Sequence, residues 1–212
     1  MGDINININD IERVFCGREP GVVGKHKLYG VLVPIVEKDG ELHLLYEVRD
    51  SNMDRQPGEV CFPGGELELG ESMENCAIRE TMEELGIPRD GIRVLTRLDT
   101  LHAHPNISLY CYLGVLDPGM LQESKANPDE VSETFLVPLS FFMDNPPEIH
   151  MMKIKPLIDD NFPYDKINSP NGYQWRMGQY EVPIYSFEGH AIWGMTARIT
   201  RNFIEIIEEE IK

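Results

Sequence analysis

Residues 64–88, GGELELGESMENCAIRETMEELGIP, decide both the fold and the chemistry. From Ser72 the pattern turns helical. Ser72 caps the start after Gly70-Glu71, and Gly86-Ile87-Pro88 ends the helix behind Leu85. Along it Glu80, Glu83 and Glu84 stand at i, i+3 and i+4, so three carboxylates share about one third of the circumference. Ala77, Ile78, Thr81, Met82 and Leu85 take the opposite arc. A solvated acidic face on an amphipathic helix would look the same. Like charges at this spacing repel, however, and need a counter-charge, which a hard divalent cation held by oxygens supplies.

The flanking residues favour the cation. Gly64-Gly65 follows a short apolar strand, where backbone approaches a ligand closely and a carbonyl turns inward. Arg79, four residues before Glu83, braces a carboxylate, and Glu71 is placed to hold Arg79. Gly65, five residues, Glu71, seven residues and then Arg79-Glu80-Thr81-Met82-Glu83-Glu84-Leu85-Gly86-Ile87 resemble the Nudix box. Every charged and glycine position matches. Thr81 departs, because the family carries a bulkier aliphatic residue there. The resemblance implies an α/β fold, an α/β/α sandwich with a mixed central sheet. It also implies Mg²⁺- or Mn²⁺-dependent hydrolysis of a nucleoside diphosphate linked to another moiety. By carry-over Glu80, Glu83, Glu84 and the Gly65 carbonyl are metal ligands, with Arg79, Glu80 and Glu83 in the catalytic group. Glu80 alternatively orients the attacking water. A distal acid often serves as base in such enzymes, and Asp129-Glu130 supplies Glu130 for it, or else forms an acidic turn before a strand.

Upstream, Leu44 to Arg49, Arg55 and Gly58-Glu59-Val60-Cys61-Phe62-Pro63-Gly64-Gly65 resemble a second motif, that of the coenzyme A pyrophosphatase branch of the family. Asn127 to Val131, Val137-Pro138-Leu139 and Ile192 to Ala197 resemble the same branch. Two positions depart: Asp54 stands where a second arginine is usual, with Arg55 one place later, and Asp50 replaces a small residue. The implied reaction splits coenzyme A into 4′-phosphopantetheine and adenosine 3′,5′-bisphosphate. Arg49 and Arg55 are the expected substrate-binding residues, since a guanidinium forks onto phosphate oxygens, or else are surface arginines at a strand end; one of them is expected on the adenosine 3′-phosphate. Asp54 is placed to pair with Arg55 and blunt it. Two alternatives stay open: a Nudix pyrophosphatase of ADP-ribose or another nucleoside diphosphate derivative, and a non-catalytic Nudix-fold ligand sensor.

Outside the motif the chain reads as an ordinary globular protein, 42% hydrophobic and 26% charged over 212 residues. With 36 acids against 19 bases it carries −17, which excludes a uniformly basic nucleic-acid binder but not a small anion held by a local patch or a metal. The four cysteines are scattered, with no CxxC and no paired histidines, as in reduced intracellular thiols. The start lacks a basic, then apolar leader, and no run approaches a membrane span, so a cytoplasmic protein with no membrane partner is expected.

Asp39-Gly40 between two β-rich runs, 29–38 and 41–49, predicts a hairpin. Asn9 is expected to cap a helix over 10–16. Strands are expected at 92–98, 107–116 and 135–138, a short helix at 139–143, and a closing helix over 191–211. One domain, 1–212, is expected, with an N-terminal extension (1–27) and a hairpin-and-loop insertion (146–188). The insertion covers a pantetheine arm, forms a homodimer surface or packs on the sandwich; its residues leave these open. His102 and His104, in an expected loop, either reach a phosphate or are incidental. Trp193, expected at the start of the last helix, is read as core rather than as a stacking platform.

Overall fold

A computed structural model describes residues 6–18 and 20–211. Its elements are α1 (Ile8–Phe15), β1 (Lys27–Lys38), β2 (Glu41–Arg49), β3 (Val60–Cys61), β4 (Gly64–Glu66), α2 (Met73–Leu85), β5 (Ile92–Ala103) and β6 (Ile107–Leu116). They continue as α3 (Pro118–Glu123), β7 (Val131–Pro138), α4 (Leu139–Asp144), β8 (Glu148–Ile154), β9 (Gly178–Phe187), β10 (His190–Trp193) and α5 (Gly194–Ile211). The chain is thus α/β, with a mixed central sheet: β1 runs parallel to β6 and antiparallel to β2. Strand order is β3-β2-β1-β6-β5, with β4 added to β1 and β7 to β2.

β1 alternates its side chains between two cores. Val31, Val33 and Ile35 face α5, with Phe203 and Ile204; Leu32 and Val36 face α2, with Ile78 and Leu85. A strand covered on both faces must be apolar throughout, which is why YGVLVPIV reads as an unbroken run. The Asp39-Gly40 turn has both residues at positive φ (54° and 80°), as a two-residue hairpin requires. Pro34 has no N–H for a ladder. It falls between the β4 register, ending at Val31, and the β2 register, starting at Ile35. There β1 and β2 part, and β3 and β4 fill the fork. On the far side Tyr46 packs between Phe62 and Phe135 and donates its hydroxyl to Thr200 Oγ1 at 2.8 Å, tying β2 to α5.

Several elements differ from the sequence expectation, each for a local reason. α1 starts one turn-half earlier because Asn7, not Asn9, accepts the Asp10 N–H as cap. β5 runs on to Ala103, so His102 lies on a strand instead of a loop. α5 begins at Gly194, not 191: residues 190–193 pair with β9, and Gly194 turns the chain at φ 62°. Trp193 is accordingly a strand residue and 42% exposed, not core. α3, capped by Asp117, was not expected. β8, β9 and β10 form a second antiparallel sheet leading into α5. Of the N-terminal stretch 1–27, residues 1–5 and Glu19 lie outside the described residues. No helix among the described residues is long and apolar enough to cross a membrane.

Candidate active site

α2 is held against β1 by close backbone approach. A Cβ at Gly30 would fall 2.5 Å from the Met73 carbonyl oxygen and 2.7 Å from Ala77 N. Ser72 caps the helix through Asn75 N, and Gly86, in the left-handed conformation at φ 67°, closes it onto the Met82 carbonyl. Thr81 is wholly buried, and its hydroxyl donates back to the Ala77 carbonyl at 2.7 Å. A polar residue therefore sits at this core position with its one donor satisfied.

The three helix carboxylates meet different surroundings. Glu84 is buried and accepts the Gly64 N–H at 2.9 Å. Glu80 is mostly covered, while Glu83 is half exposed. Arg79 gathers its neighbours: it donates to Glu71 at 2.9 and 3.2 Å, to Glu80 at 2.7 Å and to Glu83 at 3.1 Å. Those bonds, from Arg79 first, hold the Glu71 carboxyl down to about 2. The Gly65 carbonyl accepts the Cys76 thiol at 3.3 Å, and a Cβ on Gly65 would lie 2.2 Å from the Glu80 carboxyl carbon. Glycine at 65 is thus what lets the Glu80 carboxylate lie flat on backbone.

Glu47 was not anticipated. It stands on β2 opposite Cys61 of β3, only 1% exposed; its Oε1 accepts the Cys61 thiol at 3.2 Å and its Oε2 has no partner. The signal was available, since Leu45 faces α2 and period two puts Glu47 on the same face. Burial pushes the Glu47 carboxyl up, and burial followed by the charge of Glu47 pushes Glu84 up. Glu80 also rises, mainly through burial. Glu130, just before β7, accepts from Asn127 Nδ2 at 3.2 Å and adds to the repulsion on Glu47, Glu80 and Glu84.

Glu80, Glu84, Gly65, Glu130, Arg49 and Arg55 line one cavity of about 730 Å³; Arg79 and Glu83 stand outside its wall. Arg49 Nε donates to the Arg55 carbonyl at 3.3 Å, which keeps the two arginines together. Among the described residues no ion pair joins Arg55 to Asp54. His102 and His104 line the same cavity. His102 Nδ1 and His26 Nδ1 each lie 2.9 Å from the buried Ser108 hydroxyl, whose single proton serves only one of them; the other ring must donate.

The fit to a divalent cation rests on donor chemistry. No three His, Cys, Asp or Glu side chains among the described residues converge closely enough to hold an ion as they stand. Glu47, Glu80, Glu84 and Glu130 nevertheless form a cluster of carboxylates that repel one another, and Glu47 Oε2 is an orphaned buried acceptor. Hard oxygens with missing positive charge fit Mg²⁺ or Mn²⁺. A pH prediction follows. Because the folded pKa values of Glu47 and Glu84 are raised, the native state keeps protons that the unfolded chain releases. In chelator, their contribution to stability is present at and below the ordinary carboxylate range and is lost as pH rises above it. Thermal melts from pH 5 to 8 in chelator should show Glu47→Gln flattening the fall; an unchanged slope would count against the buried charge.

A NUDIX domain model matches residues 26–156. The peroxisomal coenzyme A diphosphatase NUDT7 of Mus musculus is 33% identical over 126 residues, 59% of this chain and 52% of that protein. The mitochondrial coenzyme A diphosphatase NUDT8 of Homo sapiens is 30% identical over 203 residues, covering 92% and 75% of the two chains. The uncharacterized Nudix hydrolase NudL of Photorhabdus laumondii is 30% identical over 179 residues, covering 84% and 83%. The match to the mouse protein spans about half of that protein's length. With a family model over more than half its length, and with Glu80 and Glu84 of the box lining one cavity, the chain belongs to the Nudix family.

Proposed function

We propose that the protein is a divalent-metal-dependent pyrophosphohydrolase whose substrate is coenzyme A or a close derivative. The observation that carries this is the mixed lining of one cavity, where carboxylates Glu80, Glu84 and Glu130 and arginines Arg49 and Arg55 come together in a chain of net charge −17. Relatives named coenzyme A diphosphatases at about 30% identity support the substrate.

Glu80 and Glu84 would hold Mg²⁺ or Mn²⁺, and Glu83, now paired with Arg79 outside the cavity wall, would have to turn inward to join them. Such an ion supplies positive charge that neutralises the diphosphate and acidifies the attacking water. Arg79 fixes the Glu80 carboxylate through its 2.7 Å bond and leaves the second oxygen of Glu80 for the ion or the water. Glu130, positioned by Asn127, is the candidate to take the water's proton. Arg49 and Arg55, lining the same cavity, grip phosphate oxygens.

The test is a panel of nucleoside diphosphate derivatives with Mg²⁺ or Mn²⁺, products identified by mass. Coenzyme A should give 4′-phosphopantetheine and adenosine 3′,5′-bisphosphate, with oxygen from labelled water in one product only. Inorganic phosphate as the primary product would contradict the proposal. A companion measurement compares coenzyme A with dephospho-coenzyme A. If Arg49 contacts the 3′-phosphate, the wild type should prefer coenzyme A by roughly 10- to 150-fold, the scale of one charge-assisted hydrogen bond. Arg49→Ala should erase that preference while sparing dephospho-coenzyme A. Equal losses on both would move Arg49 to the diphosphate.

A further inference from the structure

The cavity has a second end with different chemistry, built by the small sheet and the start of α5. Trp193 stands there on β10, 42% exposed and lining the cavity. What distinguishes Trp193 is its place on the cavity wall, where an indole offers a ligand a flat apolar face. Beside it, Arg198 of α5 holds its guanidinium 5.6 Å from the centroid of the Tyr180 ring. The Tyr180 hydroxyl donates to Met152 Sδ at 2.7 Å, which fixes the ring. Arg198 has no carboxylate within ion-pair distance among the described residues. Glu181 and Glu205, the acids on its side of α5, both pair with Arg201. The Arg198 guanidinium thus faces an aromatic ring on the cavity wall and keeps its charge available to a ligand.

We propose that Trp193, Arg198 and Tyr180 seat the purine ring of the substrate nucleotide. The adenosine end then lies against the second sheet while the diphosphate reaches the carboxylates below α2. Indole and guanidinium both offer flat, polarisable faces, and every nucleobase has a complementary one. A pantetheine arm offers amides, methyl groups and a thiol but no aromatic face to lie on the indole and the guanidinium. The inference rests on the nucleotide reading above and assigns the end of the cavity that the reading leaves open.

The chain has two tryptophans, and Trp175 packs on Phe162 and Tyr173 away from the cavity wall. In full-length Trp175→Phe protein, Trp193 is therefore the sole fluorescent reporter. Titration with adenosine 3′,5′-bisphosphate should quench it, and 4′-phosphopantetheine should not. Calorimetric binding of the bisphosphate should weaken roughly 5- to 150-fold in Trp193→Ala and in Arg198→Ala, the scale of one stacked base. Arg198→Lys keeps the charge and loses the plane, so it should bind as weakly as Arg198→Ala; circular dichroism and a melt check that each variant is folded. Wild-type affinity in Arg198→Lys would overturn stacking in favour of a point-charge contact. Quenching by 4′-phosphopantetheine instead, or by neither ligand, would overturn the purine seat even if coenzyme A is hydrolysed. Quenching by the bisphosphate in a protein that does not cleave coenzyme A would support the seat and reject the proposed substrate.

Discussion

Exchange of Glu84 for Gln is expected to lower hydrolysis by at least ~10- to 100-fold, the loss that follows even from disturbing groups behind a metal's own ligands. The substitution keeps the shape, because the amide oxygen still accepts the Gly64 N–H now 2.9 Å from Glu84 Oε2. What it removes is a buried carboxyl whose ionised form a cation needs, and whose ionisation burial and the neighbours Glu47, Glu80 and Glu130 all oppose. Two readouts therefore move in opposite directions. Stability in chelator at neutral pH should be unchanged or higher, since the cost of keeping a buried carboxyl protonated is gone. The rise in melting temperature on adding Mg²⁺ or Mn²⁺ should shrink, because binding to the native state alone stabilises it in proportion to affinity. Full activity in the variant, or full wild-type activity in excess chelator, would sink the assignment. A fall in stability without metal would instead mark Glu84 as a structural acid.

Glu83 gives the contrast. Its carboxylate is half exposed and held by Arg79, outside the cavity wall, although the helix period places it beside Glu80 and Glu84. Periodicity fixes which face a side chain leaves from and says nothing about where a long one ends. The same limit hid Glu47, whose meaning appears only when β3 brings Cys61 across from it and α2 brings Glu84 over it. Local chemistry was readable where the chain itself supplies the partners: the Asp39-Gly40 turn, the Ser72 cap, the Glu71–Arg79 pair eight residues apart. Trp193 was misread for a related reason. An apolar run before Gly194 suits either a helix start or a strand, and pairing with β9, which no local pattern encodes, decides for the strand. The arginines of the cavity come from β2, from the loop after it and from α5, so only the fork between β1 and β2 and the packing of α5 bring them to one place.

Gly30→Ala is expected to cost the fold and the site together. The added methyl carbon would meet backbone on α2, 2.5 Å from the Met73 carbonyl oxygen and 2.7 Å from Ala77 N, and also the Cys76 Cβ at 2.9 Å. Backbone cannot swing aside as a side-chain end can, so α2 must lift from β1. Overpacking of this kind costs about 1–3 kcal/mol. For a chain of this length each kcal/mol lowers the melting temperature by roughly 2–4 °C, so a drop of several degrees is expected. The lift also acts on chemistry. Glu84 is tied to Gly64 and Glu80 lies against Gly65, both on the strand that pairs with Gly30 and Val31. Raising the helix by even part of an ångström stretches those contacts and spreads the carboxylates proposed above to hold the cation. Activity below the unfolding transition should therefore fall further than the stability loss explains, with a higher concentration of Mg²⁺ or Mn²⁺ needed for half-maximal rate. Gly21→Ala, where an added Cβ meets nothing within 4 Å, is the matched control and should leave both quantities unchanged. A Gly30→Ala protein with wild-type melting temperature and metal requirement would show that α2 is not seated through this glycine.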